Sequence, residues 1–487
     1  MHKYLKNVSM KNNKVFFATG FITSSLTVLS ASSISSDKNQ QKPNVLFIVV
    51  DDLRPELGCY GKPIKTPNID KFAESGVLFN RAYCNIPVSG ASRASLLTGT
   101  RPTQTRFLAY DTSAEKDNPT AITLPAFLKN NGYYTIGRSK IFGFPSDSKN
   151  SWNELWSPID TAFFWRDYAL AENHRTDSLG GFKFGSYPYE CADVSDTTYF
   201  DGKTINRAIV DLQNLKKKGQ PFFLAVGIRK PHLPFNSPKK YWDLYDRMQF
   251  KLPANFSIGD TNIPNSTFHN SAELRQYYDV PATGQVSDSM ATILIHGYYA
   301  AVSYADNLVG KLLSELDNLQ LSKNTIVVLI GDNGWSLGEH GQWCKHSNFE
   351  KALHTPLIVR GPNVQRGKKT NAITEYLDIY PTLCEMLDIT PPAQLEGKSF
   401  LPVLKNPATS VKNFAVSKWI DGTTLIYENF FYTEWHDSKD AVTSRMLFDH
   451  SVDPEENNNL ADNPKNAGLV KKLSAKLIES RGVDFLK

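Results

Sequence analysis

The sequence is poor in cysteine, and its cysteines lack the close spacing of a metal site or a dense disulfide scaffold. Five occur among 487 residues, and no two form a Cys-x-x-Cys pair. They are Cys59, Cys84, Cys191, Cys344 and Cys384. Their scatter argues against a zinc site. At most two disulfides could form, and the sequence does not say which cysteines would pair.

The sequence also lacks an excess of positive charge beyond its first residues. The formal net charge is +5 at pH 7. Four of these charges are Lys3, Lys6, Lys11 and Lys14, and residues 1–35 contain no acidic residue. Subtracting the four lysines from +5 leaves about +1 for the rest of the chain. A basic field of the kind that binds nucleic acid is therefore absent, and we predict no nucleic-acid partner.

No apolar run is long and pure enough to predict a stable transmembrane anchor. After the basic start, residues 15–32 read VFFATGFITSSLTVLSAS, in which serine and threonine dilute the apolar side chains. A basic start, a short apolar middle and a small-residue exit are typical of a secretory signal peptide. We predict a signal peptide over residues 1–35, export to the periplasm and no stable membrane insertion. The sequence leaves the oligomeric state open.

What the sequence does contain is an alternation of buried strands and amphipathic helices. Continuous apolar runs predict buried parallel strands at 44–50, 133–137, 222–228, 325–331 and 356–361. Helical patterns lie between them at 68–76, 123–132, 203–219 and 298–319. This alternation predicts an α/β fold, in which helices sandwich a mixed, mostly parallel sheet.

The pattern changes after residue 365. A helical stretch at 373–389 is followed by short strand-like pieces between residues 413 and 449. We therefore predict a catalytic domain over 42–365 and a smaller C-terminal α+β subdomain over 366–487. Residues 146–200 are aromatic and aperiodic, and they predict either an ordered insertion near a site or a plain surface loop.

Chemically active residue types follow four of the predicted strands. Asp51 and Asp52 follow the first strand, and Asp332 and Asn333 follow the fourth. Lys140 and His232 come shortly after two others. Ligands of open parallel sheets bind beyond the carboxyl ends of the strands, so these side chains are expected to converge. All-oxygen ligands suit Ca²⁺ or Mg²⁺, and the nearby cations suit a sulfate or phosphate ester.

Ser89 and Arg93 lie four residues apart at the start of a predicted helix, in the segment SGASRASLLTG. This spacing places both on one helix face, and a helix N-terminus favours an anion. Ser89 is therefore a candidate nucleophile, or its precursor, with Arg93 as its electrostatic partner. From the residues alone, Ser89 could equally be only the N-cap.

Together these residues resemble the type I sulfatase family. Its signature is Cys or Ser, any residue, Pro or Ala, Ser and Arg, followed by Leu-Thr-Gly, and here it reads SGASR with LTG at 97–99. The resemblance extends through PNVLFIVVDDLRPELGCYG, TPNIDKFAESGVLFNRAY and LFDHSVDPEENNNLAD. The phrases KPHLPF and GWSLGEHGQWCKHSNF are most similar to the iduronate-2-sulfatase branch.

The resemblance implies an alkaline-phosphatase-like fold and an exported enzyme that hydrolyses sulfate esters of glycans. It implies that a maturase oxidises Ser89 to formylglycine, and that Arg93 steadies the formylglycine hydrate. The branch resemblance favours a uronic acid 2-O-sulfate as substrate. One Ca²⁺ is implied, bound by Asp51, Asp52, Ser89, Asp332 and Asn333. Lys140, His232, Lys345 and Trp335 are implied to bind substrate, with His232 also a candidate proton donor.

Two positions depart from the family pattern. Ala91 stands where proline is usual, which a serine-type member tolerates. The family has a histidine three residues after a lysine. Here the lysine is Lys140, and Gly143 stands in place of the histidine. The missing histidine puts turnover in question. His296 is one candidate substitute, and restoring histidine at position 143 is expected to raise turnover if its loss limits sulfate release. The alternatives are a phosphonate monoester hydrolase or related phosphoesterase, and a catalytically impaired glycan-binding protein.

Overall fold

A computed structural model describes residues 42–158, 166–173, 186–257 and 261–482. Its strands are β1 (Asn44–Val50), β2 (Val77–Tyr83), β3 (Tyr134–Arg138), β4 (Glu154–Trp156), β5 (Tyr189–Ala192), β6 (Phe222–Ile228), β7 (Phe235–Pro238), β8 (Thr325–Gly331), β9 (Ser336–Leu337), β10 (Trp343–Cys344), β11 (His354–Arg360), β12 (Lys368–Thr370), β13 (Thr374–Glu375), β14 (Phe414–Trp419), β15 (Gly422–Tyr427), β16 (Phe430–His436) and β17 (Val442–Asp449). Its helices are α1 (Pro67–Glu74), α2 (Ser89–Thr98), α3 (Ala114–Asp117), α4 (Leu124–Asn130), α5 (Phe200–Lys218), α6 (Lys239–Trp242), α7 (Asp288–Asn318), α8 (Glu350–Leu353), α9 (Ile379–Met386), α10 (Leu401–Lys405) and α11 (Ala467–Ser480).

A nine-stranded mixed sheet forms the centre of the fold. Its order is β12-β2-β11-β8-β1-β6-β3-β4, and β13 also pairs with β2. The central strand β1 runs parallel to both β6 and β8. Every residue of β1 is buried, which explains why its sequence is continuously apolar rather than alternating.

Helices cover both faces of this sheet. Alternate residues of β1 point to opposite faces, so Leu46 and Ile48 pack in one core with α5 and α7. Val45 and Phe47 pack in a second core with α2, α4 and α9. The predicted α/β sandwich is therefore confirmed. Helix α7 begins ten residues before the predicted start at 298, after Ser287, whose side chain accepts a hydrogen bond from the Met290 N–H.

The direction of β11 differs from the prediction of a parallel strand. It pairs antiparallel with both β8 and β2. After β8 ends, the hairpin β9–β10 and the single turn α8 supply no crossover that would return the chain to the opposite edge of the sheet. A parallel strand needs such a crossover, so β11 starts at the carboxyl edge and runs back. The strand β2 was not predicted, because Asn80 and Arg81 interrupt its apolar run.

The C-terminal region builds a second, smaller sheet. Strands β14 to β17 form an antiparallel meander, and α11 contacts β14 and β15. The short strands β12 and β13 still belong to the large sheet, although they lie after residue 365. The helix predicted over 373–389 is shorter in the structure. The first residues of this range form β13, and α9 ends at Met386. The division into domains at 365/366 stays a prediction.

Several sequence predictions fall partly or wholly outside the described residues. The predicted signal peptide, residues 1–35, lies outside them, as does part of the aromatic stretch in 146–200. All five cysteines are described, and all are free thiols. Within the described chain, no helix combines the length and the apolar character needed to cross a membrane.

Candidate active site

The carboxyl ends of three neighbouring strands define the site. Val50 of β1 pairs with Ile228 of β6 on one side and with Gly331 of β8 on the other. The residues that follow these strand ends therefore meet at one edge, as the sequence predicted. The backbone N–H of Asp52 donates a hydrogen bond of 2.9 Å to Asp332 Oδ1, which ties the first and last of these loops together.

The backbone around the site holds uncommon conformations. Asp52 has a positive φ of 59° and Ser139, just before Lys140, one of 61°. Cys344 and His346, on either side of Lys345, have φ angles of 75° and 66°. Left-handed backbone at non-glycine residues carries a free-energy cost and collects at functional sites. Here it turns the chain sharply at the points where charged side chains must enter the pocket.

Ser89 points at the acidic loops rather than capping its own helix. The N-cap residue of α2 is Val88. Ser89 Oγ lies 2.9 Å from Asp51 Oδ1 and 3.2 Å from Asn333 Oδ1. The amide of Asn333 donates through Nδ2 to Asp52 Oδ1 at 2.7 Å, so its oxygen faces Ser89. Of the two interpretations of Ser89, the geometry supports a residue of the site over an N-cap.

These oxygens fit a hard divalent cation. Carboxylate oxygens of Asp51, Asp52 and Asp332 lie within 4.8 Å of one another. Ser89 Oγ carries one proton, which it can donate to only one of Asp51 Oδ1 and Asn333 Oδ1 at a time. Several oxygen lone pairs that face this point therefore have no hydrogen-bond donor. Three buried carboxylates so close together repel one another, and an ion would relieve that repulsion. The donor set is the one that Ca²⁺ or Mg²⁺ takes in proteins.

The carboxylates of Asp51 and Asp52 differ in their charge environment. Burial disfavours ionisation of Asp51, but the charges of Lys140 and Arg93 outweigh it and hold the pKa of Asp51 well below the ordinary value. Burial raises the pKa of Asp52 well above its ordinary value, although the charge of Lys345 opposes this shift. Asp51 is therefore held as an anion by its cationic neighbours, whereas ionisation of Asp52 depends more on further positive charge.

Arg93 and Lys140 surround the Ser89 hydroxyl with positive charge. Arg93 Nε donates to Asp332 Oδ2 at 2.7 Å, and its Nη2 lies 3.4 Å from Asp51 Oδ1. Lys140 Nζ donates to Asp51 Oδ2 at 2.5 Å. Arg93 is completely buried, so its charge acts in a medium that screens it weakly. Both cations are placed where they can stabilise an anionic ester next to Ser89.

His232 and Lys345 approach the same pocket from the other side. Lys345 Nζ lies 2.8 Å from Asp52 Oδ2, and His232 Nε2 lies 3.8 Å from the same oxygen. Burial, together with the charge of Lys345, lowers the pKa of His232 well below its ordinary value. Trp335 is buried beneath Lys345, whose Nζ lies 5.2 Å from its ring centre. The predicted contact between Trp335 and substrate stays a prediction.

Known proteins resemble this chain over most of its length. The family model described as Sulfatase matches residues 43–389. The chain belongs to the sulfatase family. A second model, described as N-sulphoglucosamine sulphohydrolase, C-terminal, matches residues 338–482 of this sulfatase. Iduronate 2-sulfatase of Homo sapiens is 35% identical over 383 residues, which cover 76% of this chain and 69% of the relative. The protein is therefore a sulfuric ester hydrolase, similar to iduronate 2-sulfatase.

Solved structures share the fold of this sulfatase. The protein BT4656, in complex with its substrate D-glucosamine-2-N,6-O-disulfate, has a TM-score of 0.72 at 20% identity, over 91% of this chain and 98% of its own. A phosphonate monoester hydrolase from Silicibacter pomeroyi also reaches 0.72 at 20% identity, over 90% and 95% of the two chains. These likenesses confirm the predicted alkaline-phosphatase-like fold.

Glu273 is a residue of the sulfatase pocket that sequence reasoning missed. Its carboxylate lies 3.2 Å from His232 Nε2 and 3.3 Å from Lys345 Nζ. It comes from the loop before α7, in the stretch NSAELRQYY, where no strand end or motif marks it. Only the packing of this loop against the pocket identifies it. His232 and Lys345 thus share Glu273 as an anionic partner.

The structure gives no support to His296 as a substitute for the histidine missing at Gly143. The two ring nitrogens of His296 face Trp242 O at 2.9 Å and Arg247 Nε at 3.2 Å. Gly143 itself packs against the start of α2. A Cβ at Gly143 would lie 3.0 Å from Gly90 Cα and 3.4 Å from Thr112 O. A side chain at position 143 therefore requires the start of α2 to shift by a few tenths of an ångström.

From this packing we expect the opposite of the sequence-based prediction that histidine at position 143 would raise turnover. Gly143→His and Gly143→Ala are both expected to lower activity, because a Cβ pushes the backbone of Gly90 and with it Ser89. Such overpacking costs about 1–3 kcal/mol of unfolding free energy. Thermal melting and an aryl sulfate assay measure both effects. Gly468→Ala is the control, since nothing lies within 4 Å of its added Cβ. A gain in turnover for Gly143→His at unchanged stability would contradict this account.

Proposed function

We propose that this protein is an exported sulfatase that removes sulfate from glycans, with a uronic acid 2-O-sulfate as its candidate substrate. The observation that carries the proposal is the position of Ser89 Oγ, 2.9 Å from Asp51 Oδ1 and among buried cations. The similarity to iduronate 2-sulfatase supports the choice of sugar. Export to the periplasm rests on the signal-peptide pattern of residues 1–35.

The proposed reactive group is a formylglycine formed from Ser89 by a dedicated maturase. As a hydrate, this group supplies the hydroxyl that attacks sulfur. Asp51, Asp52, Asp332 and Asn333 would hold a Ca²⁺ together with residue 89, and the ion would polarise oxygens of the sulfate. Arg93 keeps a fixed positive charge beside residue 89, because Asp332 Oδ2 holds its Nε at 2.7 Å.

The remaining cations account for substrate binding in this proposal. Lys140 and Lys345 neutralise the charge of the sulfate, while Asp51 and Asp52 orient their ammonium groups. His232 Nδ1 lies 2.6 Å from Leu233 O, which fixes the ring and directs Nε2 into the pocket. The negative charge of a bound sulfate ester favours protonation of His232, so Nε2 can carry the proton that the leaving sugar oxygen needs.

The test of the function combines maturation with substrate comparison. Co-expression with a serine-type maturase should yield a peptide spanning Ser89 that has lost two hydrogens, or its hydrate. The matured protein should hydrolyse aryl sulfates faster than aryl phosphates and phosphonates. Faster phosphonate hydrolysis would favour the phosphoesterase alternative. Complete conversion without hydrolysis of any ester would favour the glycan-binding alternative, and full sulfatase activity with unmodified Ser89 would refute the mechanism.

His232→Ala is expected to reduce turnover of a sugar sulfate by about 100-fold or more, and that of an aryl sulfate much less. A sugar alkoxide is a poor leaving group that needs a proton, whereas a phenolate leaves without one. Steady-state kinetics on both substrates measure the ratio. His296→Ala is the control, because that histidine bonds Trp242 and Arg247 instead of the pocket. Equal losses on both substrates would leave His232 only a binding role.

A further inference from the structure

Arg229 brings one more positive charge to the edge of the active site. It follows the last residue of β6, next to Asp51, whose N–H donates to Ile228 O at 2.9 Å. Within β6, residues 223 and 225 face the same core as α2. We extend this alternation by one residue past the strand end, which assigns the side chain of Arg229 to the face of α2. The backbone of Arg229 is thus adjacent to Asp51, a residue of the nucleophile site.

Among the described residues, the guanidinium of Arg229 differs from the neighbouring cations because it has no carboxylate partner. Arg93 Nε lies 2.7 Å from Asp332, and Lys140 and Lys345 lie 2.5 and 2.8 Å from Asp51 and Asp52. Within the described ranges, by contrast, Arg229 Nε is buried without a hydrogen-bond partner, and no carboxylate forms an ion pair with the guanidinium.

The nearest acidic residue is already engaged by the backbone. Asp201 accepts the N–H of Arg229 through Oδ1 at 2.9 Å and that of Lys230 through Oδ2 at 2.8 Å. Its carboxylate therefore holds the loop that leads to His232. Its charge attracts the guanidinium from a distance, as does that of Asp51. Asp201 thus anchors the chain and leaves the side chain of Arg229 available.

Arg229 keeps its charge in this setting. Burial lowers its pKa, but arginine starts so far above neutrality that the guanidinium stays protonated. A charge without a paired anion is costly to bury, and such a group in a native structure calls for an explanation. Part of the residue remains accessible, which leaves a route for a ligand to reach it. A bound anion would remove this cost.

We propose that Arg229 binds a second anionic group of the substrate, the carboxylate of the sugar that carries the cleaved sulfate. The inference rests on the proposed function and narrows it to uronic acid sulfates. Lys140, His232 and Lys345 already account for the sulfate, so an additional guanidinium matches an anion beyond it. The planar fork of arginine pairs with a carboxylate through two parallel hydrogen bonds.

The test compares Arg229→Gln with the wild type, both fully matured, on three substrates. These are a 2-O-sulfated uronic acid glycoside, the same glycoside with its carboxyl reduced to an alcohol, and an aryl sulfate. On the uronate, kcat/KM should fall roughly 10- to 100-fold, the range of a charged hydrogen bond. On the other two substrates the change should stay below about threefold. Arg229→Lys should recover part of the loss, because it keeps the charge without the fork.

Controls separate this inference from folding and from the proposed function. Arg207→Gln, at a half-exposed arginine of α5, should leave all three rates unchanged. Arg229→Lys provides the readout if Arg229→Gln does not fold. Equal losses on the uronate and its reduced form would overturn the role of Arg229. So would a loss confined to a fourth substrate, a disulfated neutral sugar, because the anion would then be a second sulfate. A wild type that hydrolyses no sulfate ester would instead refute the proposed function.

Discussion

Ser89→Ala should abolish sulfatase activity, with a loss of at least about 1,000-fold in kcat for aryl and sugar sulfates alike. Alanine cannot be converted to formylglycine, so the attacking hydroxyl never forms. The rest of the pocket should survive, because Arg93, Lys140 and Lys345 take their positions from Asp332, Asp51 and Asp52. Kinetics of the purified variant measure the loss, and calorimetric titration with a sulfated sugar should show that binding remains.

Ser95→Ala is the matched control on the same helix. Ser95 is buried like Ser89, but its Oγ donates to Thr100 O at 2.7 Å, at the end of α2 away from the acidic loops. Its loss should lower stability by about 1 kcal/mol and leave kcat close to the wild-type value. Residual activity in Ser89→Ala above about one-hundredth of the wild-type rate would show that another residue attacks the ester.

Asp51→Asn should remove both activity and the response of the protein to calcium. Asp51 Oδ1 faces Ser89, and Oδ2 accepts a hydrogen bond from Lys140 Nζ, so one substitution disturbs the proposed metal site and the charge of the pocket. Binding to the native state alone stabilises a protein by about 2.7 kcal/mol at 100 times the dissociation constant. Wild-type Tm should therefore rise by several degrees when calcium replaces a chelator, and that of Asp51→Asn should not.

Asp306→Asn serves as its control, because it too changes a buried carboxylate. Asp306 accepts the N–H of Ile69 at 2.7 Å at the start of α1, outside the cluster of Asp51, Asp52 and Asp332. The variant should melt at a lower temperature than the wild type and still gain stability with calcium. A metal-free protein with full activity and unchanged Tm would contradict the proposed ion, as would an Asp51→Asn variant that keeps its calcium response.

Much of the fold could be predicted because its central strands are buried on both faces. That environment makes β1, β6 and β8 continuously apolar, which the sequence displays directly. The direction of β11 could not be predicted in this way. Apolar character reports burial, whereas direction depends on whether the preceding loop crosses the sheet, and here it does not.

Some residues of the candidate site could likewise be predicted from the sequence, and others could not. Asp51, Asp332 and Ser89 could be proposed from the sequence, because they stand at strand and helix ends within a recognisable motif. Glu273 and Arg229 could not be assigned a place in the site. Glu273 lies in a loop without periodicity, and its approach to His232 depends on how that loop packs. Within the described chain, the lack of a hydrogen-bond partner for Arg229 Nε depends on how the carboxylate of Asp201 is engaged.

The sequence by itself determined the α/β class, the sulfatase family and the residue types at the strand ends, because local pattern and composition carry that information. Only the tertiary structure decided how those residues combine. It showed that Ser89 is not the N-cap of its helix, that a Cβ at Gly143 would crowd Gly90, and that Glu273 lies beside His232. Each of these depends on distances between atoms far apart in the chain, which no local pattern encodes.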